Sequence, residues 1–262
     1  MAYRRLSWYF KESIEHEIKW EGKYGAKGEK RAKRKKATPE QIKRQNQSNR
    51  IKNMRRLIKK NFEPGDYWCA LKYPEGLRKS VPEYKRDMLN FLTKCRRWWK
   101  KRGVPFKFIY RMEIGKLGGT HFHILVNRIP SETGQPTTDQ LLQMAWTHGV
   151  VNYENTYKKG WFENLAYYIV KMPDEDGQIC MFDEDIRKEY IKYSSSRNLI
   201  RPEPEVKEYK RRTIKSIALD PPEATDGYYV DKSSIKQGIN PYTGLSYCHY
   251  IEYKKTVPWE GG

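Results

Sequence analysis

The chain has 262 residues, with 52 Lys or Arg against 32 Asp or Glu, a formal charge of +20. At 37% hydrophobic and 32% charged residues there is material for one compact domain with polar extensions, and a field this positive suits a polyanionic partner. Four scattered cysteines without a Cys-x-x-Cys pair, and no apolar run of 18 residues, exclude a disulfide framework and a membrane span; a cytoplasmic protein is expected.

The charge is front-loaded: residues 1–62 carry +14, residues 63–200 +5 and residues 201–262 +1. Residues 1–37, ending in Lys27-Gly-Glu-Lys-Arg-Ala-Lys-Arg-Lys-Lys36, read as a basic arm in which like charges oppose compaction. Thr38-Pro39-Glu40-Gln41 then reads as a helix start with a capping box. Ile51, Met54, Ile58 and Phe62 continue the helix at helical spacing.

Tyr67–Tyr73 reads as a strand ended by Pro74 and Gly76. Ser80 with Glu83 forms a second capping box, after which Tyr84, Met88, Phe91, Leu92, Cys95 and Trp99 share one face until Gly103. Phe106–Glu113 and Thr120–Asn127 read as two strands of a hairpin joined by a glycine-rich loop. A short helix near Thr138–Trp146, a strand at Val150–Tyr153 and a helix from Trp161 to Met172 follow. These define a domain over residues 38–200 of the α+β class: a central antiparallel β-sheet with flanking helices, drawn with its helices on one side. Residues 201–262 read as a C-terminal extension, with a possible added hairpin around Asn240-Pro-Tyr-Thr-Gly244 on the same domain.

The chemistry sits on that hairpin. His121 and His123 are separated by one apolar residue and so point to one face of a strand. If Glu113 stands opposite His121, a carboxylate and two imidazoles converge, a set suited to a divalent ion acting as a Lewis acid on a phosphate oxygen. The plainer reading pairs Glu113 with Arg111, Lys116 or Arg128 at a surface. On the helix from Trp161, residues Phe162, Leu165, Ala166, Ile169 and Met172 form a core stripe, with Asn164, Tyr168 and Lys171 along one flank and Tyr167 nearer the opposite side. A tyrosine is a poor nucleophile at its ordinary pKa of ~10, and a neighbouring ammonium would favour phenolate character.

Tyr67–Pro74, Glu113 with His121-Phe-His123, and Tyr168-Ile-Val-Lys171 occur in the order of the motifs of HUH-type endonucleases. Residues 50–200 thus resemble the rolling-circle replication initiators of that superfamily, with Ser194–Leu199 similar to a segment following the catalytic helix in plasmid and phage members. The resemblance implies a ferredoxin- or RRM-like HUH nickase domain that cuts single-stranded DNA at a replication origin through a 5′-phosphotyrosine. It implies Tyr168 as nucleophile, Lys171 as its assistant, and Glu113, His121 and His123 as ligands of Mg²⁺ or Mn²⁺. Position 172 is Met, where many relatives carry a second tyrosine, so a single-tyrosine mechanism is expected. No Walker-type glycine-lysine motif is present, so a host helicase and polymerase are the expected partners. A single-tyrosine transposase, a mobilisation relaxase, or a non-enzymatic basic nucleic-acid-binding protein are the alternatives.

Overall fold

The computed structural model describes residues 3–22, 30–115, 119–154, 161–171, 184–209 and 222–255. They divide into two compact units, one of residues 44–201 and one of residues 1–43 with 202–262. Both are built around antiparallel sheets, which with five helices among the described residues make the chain α+β.

The unit of residues 44–201 contains most of α1 (Pro39–Asn61), then β3 (Tyr67–Lys72), α2 (Val81–Lys101), β4 (Phe108–Ile114), β5 (Thr120–Val126), α3 (Thr138–Ala145) and β6 (Val150–Glu154). α4 (Trp161–Val170), α5 (Glu184–Ile191) and β7 (Tyr193–Ser195) complete it. Its sheet runs β6-β3-β5-β4-β7, and every pairing is antiparallel. Strands β3 and β4 therefore run the same way with β5 between them, the split β-α-β arrangement of ferredoxin-like folds.

Strand alternation sorts the core onto two faces. Cys69, Leu71, Phe108, Met112, Phe122, Ile124 and Val126 pack against α2 and α3 through Met88, Phe91, Trp99, Leu142 and Trp146. Trp68, Ile109 and Leu125 pack on the other face against Met54, Leu57 and Ile58 of α1 and Leu165, Ala166 and Ile169 of α4. Helices thus cover both faces, whereas the sequence reading put them on one. Both α1 and α4 carry apolar stripes that must bury against something, and α2 with α3 already fill the first face. Each fully buried Phe or Leu contributes roughly 1.5–3 kcal/mol.

The capping boxes form as the sequence suggests. Gln41 Oε1 accepts from Thr38 N at 3.0 Å, and Glu83 Oε2 accepts from Ser80 N at 2.8 Å. Gly149, with φ +152°, lets the chain graze β3; a Cβ there would stand 2.2 Å from Lys72 O. Trp146 Nε1 donates to that same carbonyl at 3.1 Å.

The second unit joins β1 (Tyr3–Tyr9) and β2 (Ser13–Trp20) to β8 (Glu205–Tyr209), β9 (Tyr228–Val230), β10 (Lys236–Asn240) and β11 (Leu245–Lys254). The sheet path is β10-β11-β2-β1-β8, with β9 also on β11. The reading of residues 1–37 as an arm fails for Tyr3–Trp20, which form a strand pair enclosed by chain some 200 residues away. Ala32 N donates to Gly244 O and Lys35 N to Pro241 O, so part of the basic run is also tied down. Residues 23–29 of that run lie outside the described residues. A hairpin around Asn240–Gly244 is present, but it extends this sheet and not that of residues 44–201. Buried inside the sheet, Ser7 Oγ lies 2.9 Å from His16 Nδ1, and His16 Nε2 lies 3.3 Å from Glu252 Oε1. Each of the three is at most 4% exposed, so this serine, histidine and acid have no access to a substrate and knit the sheet instead.

Among the described residues no helix is long and apolar enough to cross a membrane. Cys69, Cys95 and Cys248 are buried free thiols, and burial pushes those of Cys69 and Cys95 well above their ordinary range; Cys180 lies outside the described residues.

Candidate metal and tyrosine site

The β4–β5 register pairs Glu113 with His121 and Arg111 with His123, so all four side chains share the face covered by α1 and α4. His121 Nε2 and His123 Nε2 stand 3.0 Å apart, and Glu113 Oε2 is 3.3 Å from His123 Nε2 and 3.9 Å from His121 Nε2. The ligand atoms of the three residues lie within 4.8 Å of one another.

Helix α4 brings the other two residues. Its buried residues Leu165, Ala166 and Ile169 lock it to the sheet, which turns Tyr168 inward and leaves Tyr167 46% exposed. Tyr168 Oη donates to Glu113 Oε2 and lies 2.9 Å from His123 Nε2. Lys171 Nζ pairs with Glu113 Oε1 at 3.0 Å and sits 4.7 Å from the centre of the Tyr168 ring. Glu113 therefore holds the histidines and tyrosine on one oxygen and the lysine on the other. Met172, expected on the core stripe, lies outside the described residues, as does the Lys116–Gly118 part of the hairpin loop.

Two residues that the sequence reading did not assign shape the site. Arg111 is 2% exposed and does not pair with Glu113 at a surface as the plainer reading had it. Its Nη1 donates to the carbonyls of Tyr168 at 2.8 Å, Ile169 at 3.3 Å and Lys171 at 3.1 Å, and its Nη2 to Tyr190 O at 3.2 Å. Gln47 Nε2 of α1 takes the remaining carbonyl, Val170 O, at 3.0 Å. The open end of α4 is thus satisfied by side chains from β4 and α1, and a cation there also suits the negative end of the helix dipole. The signal in the sequence is a lone arginine on the inward face of an otherwise apolar strand. Trp68 is the second: its ring stacks on His123 with centroids 5.3 Å apart and meets Tyr168 edge-on at 5.8 Å.

Burial pushes the His123 imidazole down to about 3, with His121 beside it adding to the effect, and burial lowers His121 as well. Both rings are then neutral at pH 7 and offer lone pairs. Burial pushes the Glu113 carboxyl up, but hydrogen bonds from Tyr168 and Lys171 outweigh it and hold the acid below its ordinary range. Burial and the Glu113 hydrogen bond push the Tyr168 phenol well above its own.

This donor set fits a divalent cation. Two ligands about 2.1 Å from an ion and at right angles stand about 3.0 Å apart, the separation of the two Nε2 atoms. Two neutral nitrogens and a carboxylate oxygen facing one another supply more lone pairs than the neighbouring protons can satisfy. His121 is also hydrogen-bonded to the Gly119 backbone, a contact of the kind that orients a ligating imidazole. His123 Nδ1 is buried and finds no hydrogen-bond partner among the described residues, so the Trp68 ring is what holds that imidazole.

An acid, two histidines, a tyrosine and a lysine on a ferredoxin-like sheet form the kind of centre that handles phosphate esters. Residues 66–173 match the replication-associated protein ORF2 family, a finding consistent with the rolling-circle replication initiators and supporting a role in starting replication. The matched span contains all five side chains. No curated protein and no solved structure matches the chain.

Proposed function

We propose that the protein is a single-tyrosine rolling-circle replication initiator, a metal-dependent nickase and strand transferase acting on single-stranded origin DNA. The observation that carries this reading is the Tyr168 hydroxyl set against Glu113 and His123, with Lys171 beside its ring.

Glu113, His121 and His123 would hold Mg²⁺ or Mn²⁺, which supplies Lewis-acid polarisation of the scissile phosphate. Tyr168 attacks the phosphorus, the bond to the 3′-oxygen breaks, and the 5′-phosphate stays on the tyrosine. The phenolic proton passes toward the Glu113 carboxylate that already accepts it, and the departing 3′-oxygen takes a proton from water. Lys171 stabilises the negative charge developing on the phenol oxygen. Reversal of the step by a 3′-hydroxyl rejoins the strand. The +20 charge favours DNA as the polyanion, and with no Walker motif in the sequence a host helicase and polymerase would do the unwinding and copying.

The test is a denaturant-resistant covalent adduct formed with a library of single-stranded sequences and Mn²⁺. Wild type and Tyr167→Phe are expected to form it, and Tyr168→Phe to lose it. An adduct that persists in Tyr168→Phe but vanishes in Tyr167→Phe would assign the nucleophile to the exposed neighbour.

A further inference from the structure

A second cationic feature lies on the opposite face of the same sheet, under the end of α2. Between residues 94 and 107 the sequence has seven Lys or Arg and no acid, and between 192 and 201 three and none. Such runs are usually solvated faces, with side chains fanning into water. Here Arg96, Lys100 and Arg197 instead line one cleft of about 880 Å³, together with Ser196, Asn198 and the edge of Phe108. No acidic residue lines it, and all three cations are exposed.

The cleft is held in shape. Ser196 N donates to Phe108 O at 3.0 Å, and Phe108 N to Ser196 Oγ at 3.2 Å, which leaves the serine proton to give. Asn198 Nδ2 donates to Phe106 O at 3.1 Å. Arg197 is therefore presented between two anchored neighbours. Arg96 lies over the Phe108 ring, 5.6 Å from its centre. The last carbonyls of α2 are taken by the backbone amides of Arg102, Gly103 and Val104, so Lys100 is not needed to cap the helix.

We infer that Arg96, Lys100 and Arg197 form a seat for the phosphodiester backbone of DNA, separate from the metal and tyrosine site. Phe108 and Glu113 are five residues apart on β4 and point to opposite faces, so the two sites are about 17 Å apart along the strand. A nucleotide in one cannot occupy the other. The cleft offers three cations, a hydroxyl and no base-reading pocket, so it grips backbone and leaves sequence to other contacts. The choice of DNA as the ligand rests on the proposed replication role; the clustering of charge does not.

The test uses the full chain with Arg96, Lys100 and Arg197 changed together to alanine. Binding of a labelled single strand, and of a duplex of equal length, is followed by anisotropy between about 50 and 200 mM salt. Loss of three phosphate contacts lowers the slope of log affinity against log salt by about 2–3 and affinity at the low-salt end by at least tenfold. An equal charge change at exposed Arg44, Arg86 and Arg128 is expected to cost much less. Arg96→Lys with Arg197→Lys is expected to keep the wild-type slope, which separates lost charge from lost fold. A selective loss on the single strand or on the duplex identifies which form sits in the cleft. A slope no lower than that of the control triple overturns the inference. Failure of wild type to form the tyrosine adduct would sink the nickase reading and leave this comparison of slopes standing.

Discussion

Arg111 on β4 donates to the carbonyl of Tyr168 on α4 at 2.8 Å. The strand that carries Glu113 therefore also grips the helix end that carries the tyrosine, so acceptor and phenol are positioned by one rigid piece of chain. Replacing Arg111 by Met keeps much of the buried volume but leaves buried carbonyls of α4 without donors. We predict a loss of about 3 kcal/mol in urea unfolding of residues 44–201, and a fall in adduct formation larger than the same destabilisation causes when placed in α2. Equal activity losses from the two would reduce Arg111 to a structural role.

Mn²⁺ is expected to protect the β4 and β5 amides of the wild-type chain from hydrogen exchange. At one hundred times its Kd, a ligand specific for the folded state adds about 2.7 kcal/mol. His121→Ala and His123→Ala should each abolish this protection while leaving the metal-free exchange pattern of α2 unchanged. Protection that survives both substitutions would place the ion elsewhere.

Trp68→Leu is predicted to weaken Mn²⁺ binding about tenfold by calorimetric titration, the low end of what is lost when the support of a metal ligand is removed. The stacked ring is the partner of His123 on the side away from the cluster, and a leucine cannot hold the imidazole plane. Unchanged affinity would show that Glu113 and His121 suffice to orient His123.

Much of the site was legible because it rests on short-range geometry. Two histidines one residue apart must share a strand face, and the hairpin loop is short enough to put Glu113 opposite His121. The flank of α4 follows from helical rotation alone, given its apolar stripe. Arg111 was not legible: its charge suggested a surface pair with Glu113, and only the position of α4 reveals carbonyls that need a donor. The strands at Tyr3–Trp20 were hidden for a related reason. Glu15, His16 and Glu17 are buried, which breaks the expected alternation of apolar and polar residues, and their partners on β11 are over 200 positions away. High net charge over residues 1–37 then argued for an arm when pairing partners could not be seen.

Gly149→Ala is predicted to cost more than about 2 kcal/mol, because a Cβ 2.2 Å from Lys72 O meets backbone that β5 and β6 both hold. The denaturation midpoint should fall with little change in slope. A cost below about 1 kcal/mol, on the scale of an ordinary surface change, would mean that this end of β3 yields readily.

Acid should loosen the sheet of β1, β2 and β11. Burial pushes the Glu252 carboxyl up, but His16 and the Thr225 amide outweigh it and hold the acid below its ordinary range. A carboxyl lowered on folding contributes stability that is fully present above its unfolded pKa of ~4.3 and is lost as pH falls through the lower folded value. Hydrogen exchange at residues 13–20 and 245–254 is expected to accelerate below about pH 4, and Glu252→Gln to flatten that response. An identical acid limb in the variant would assign the transition to other groups.

The interleaving of both ends of the chain in one sheet has a consequence for biosynthesis. Residues 44–201 contain every strand of their own sheet and can close as soon as they clear the ribosome. β1 and β2 are made first, yet they wait for β8 and β11, whose last residue is Lys254. At ~5–20 residues per second that delay is roughly 3–10 s after residue 201 is added. During that interval the nascent chain would hold a folded middle and an unfinished beginning, so a stalled or truncated product keeps the five-residue cluster while leaving two strands with open edges.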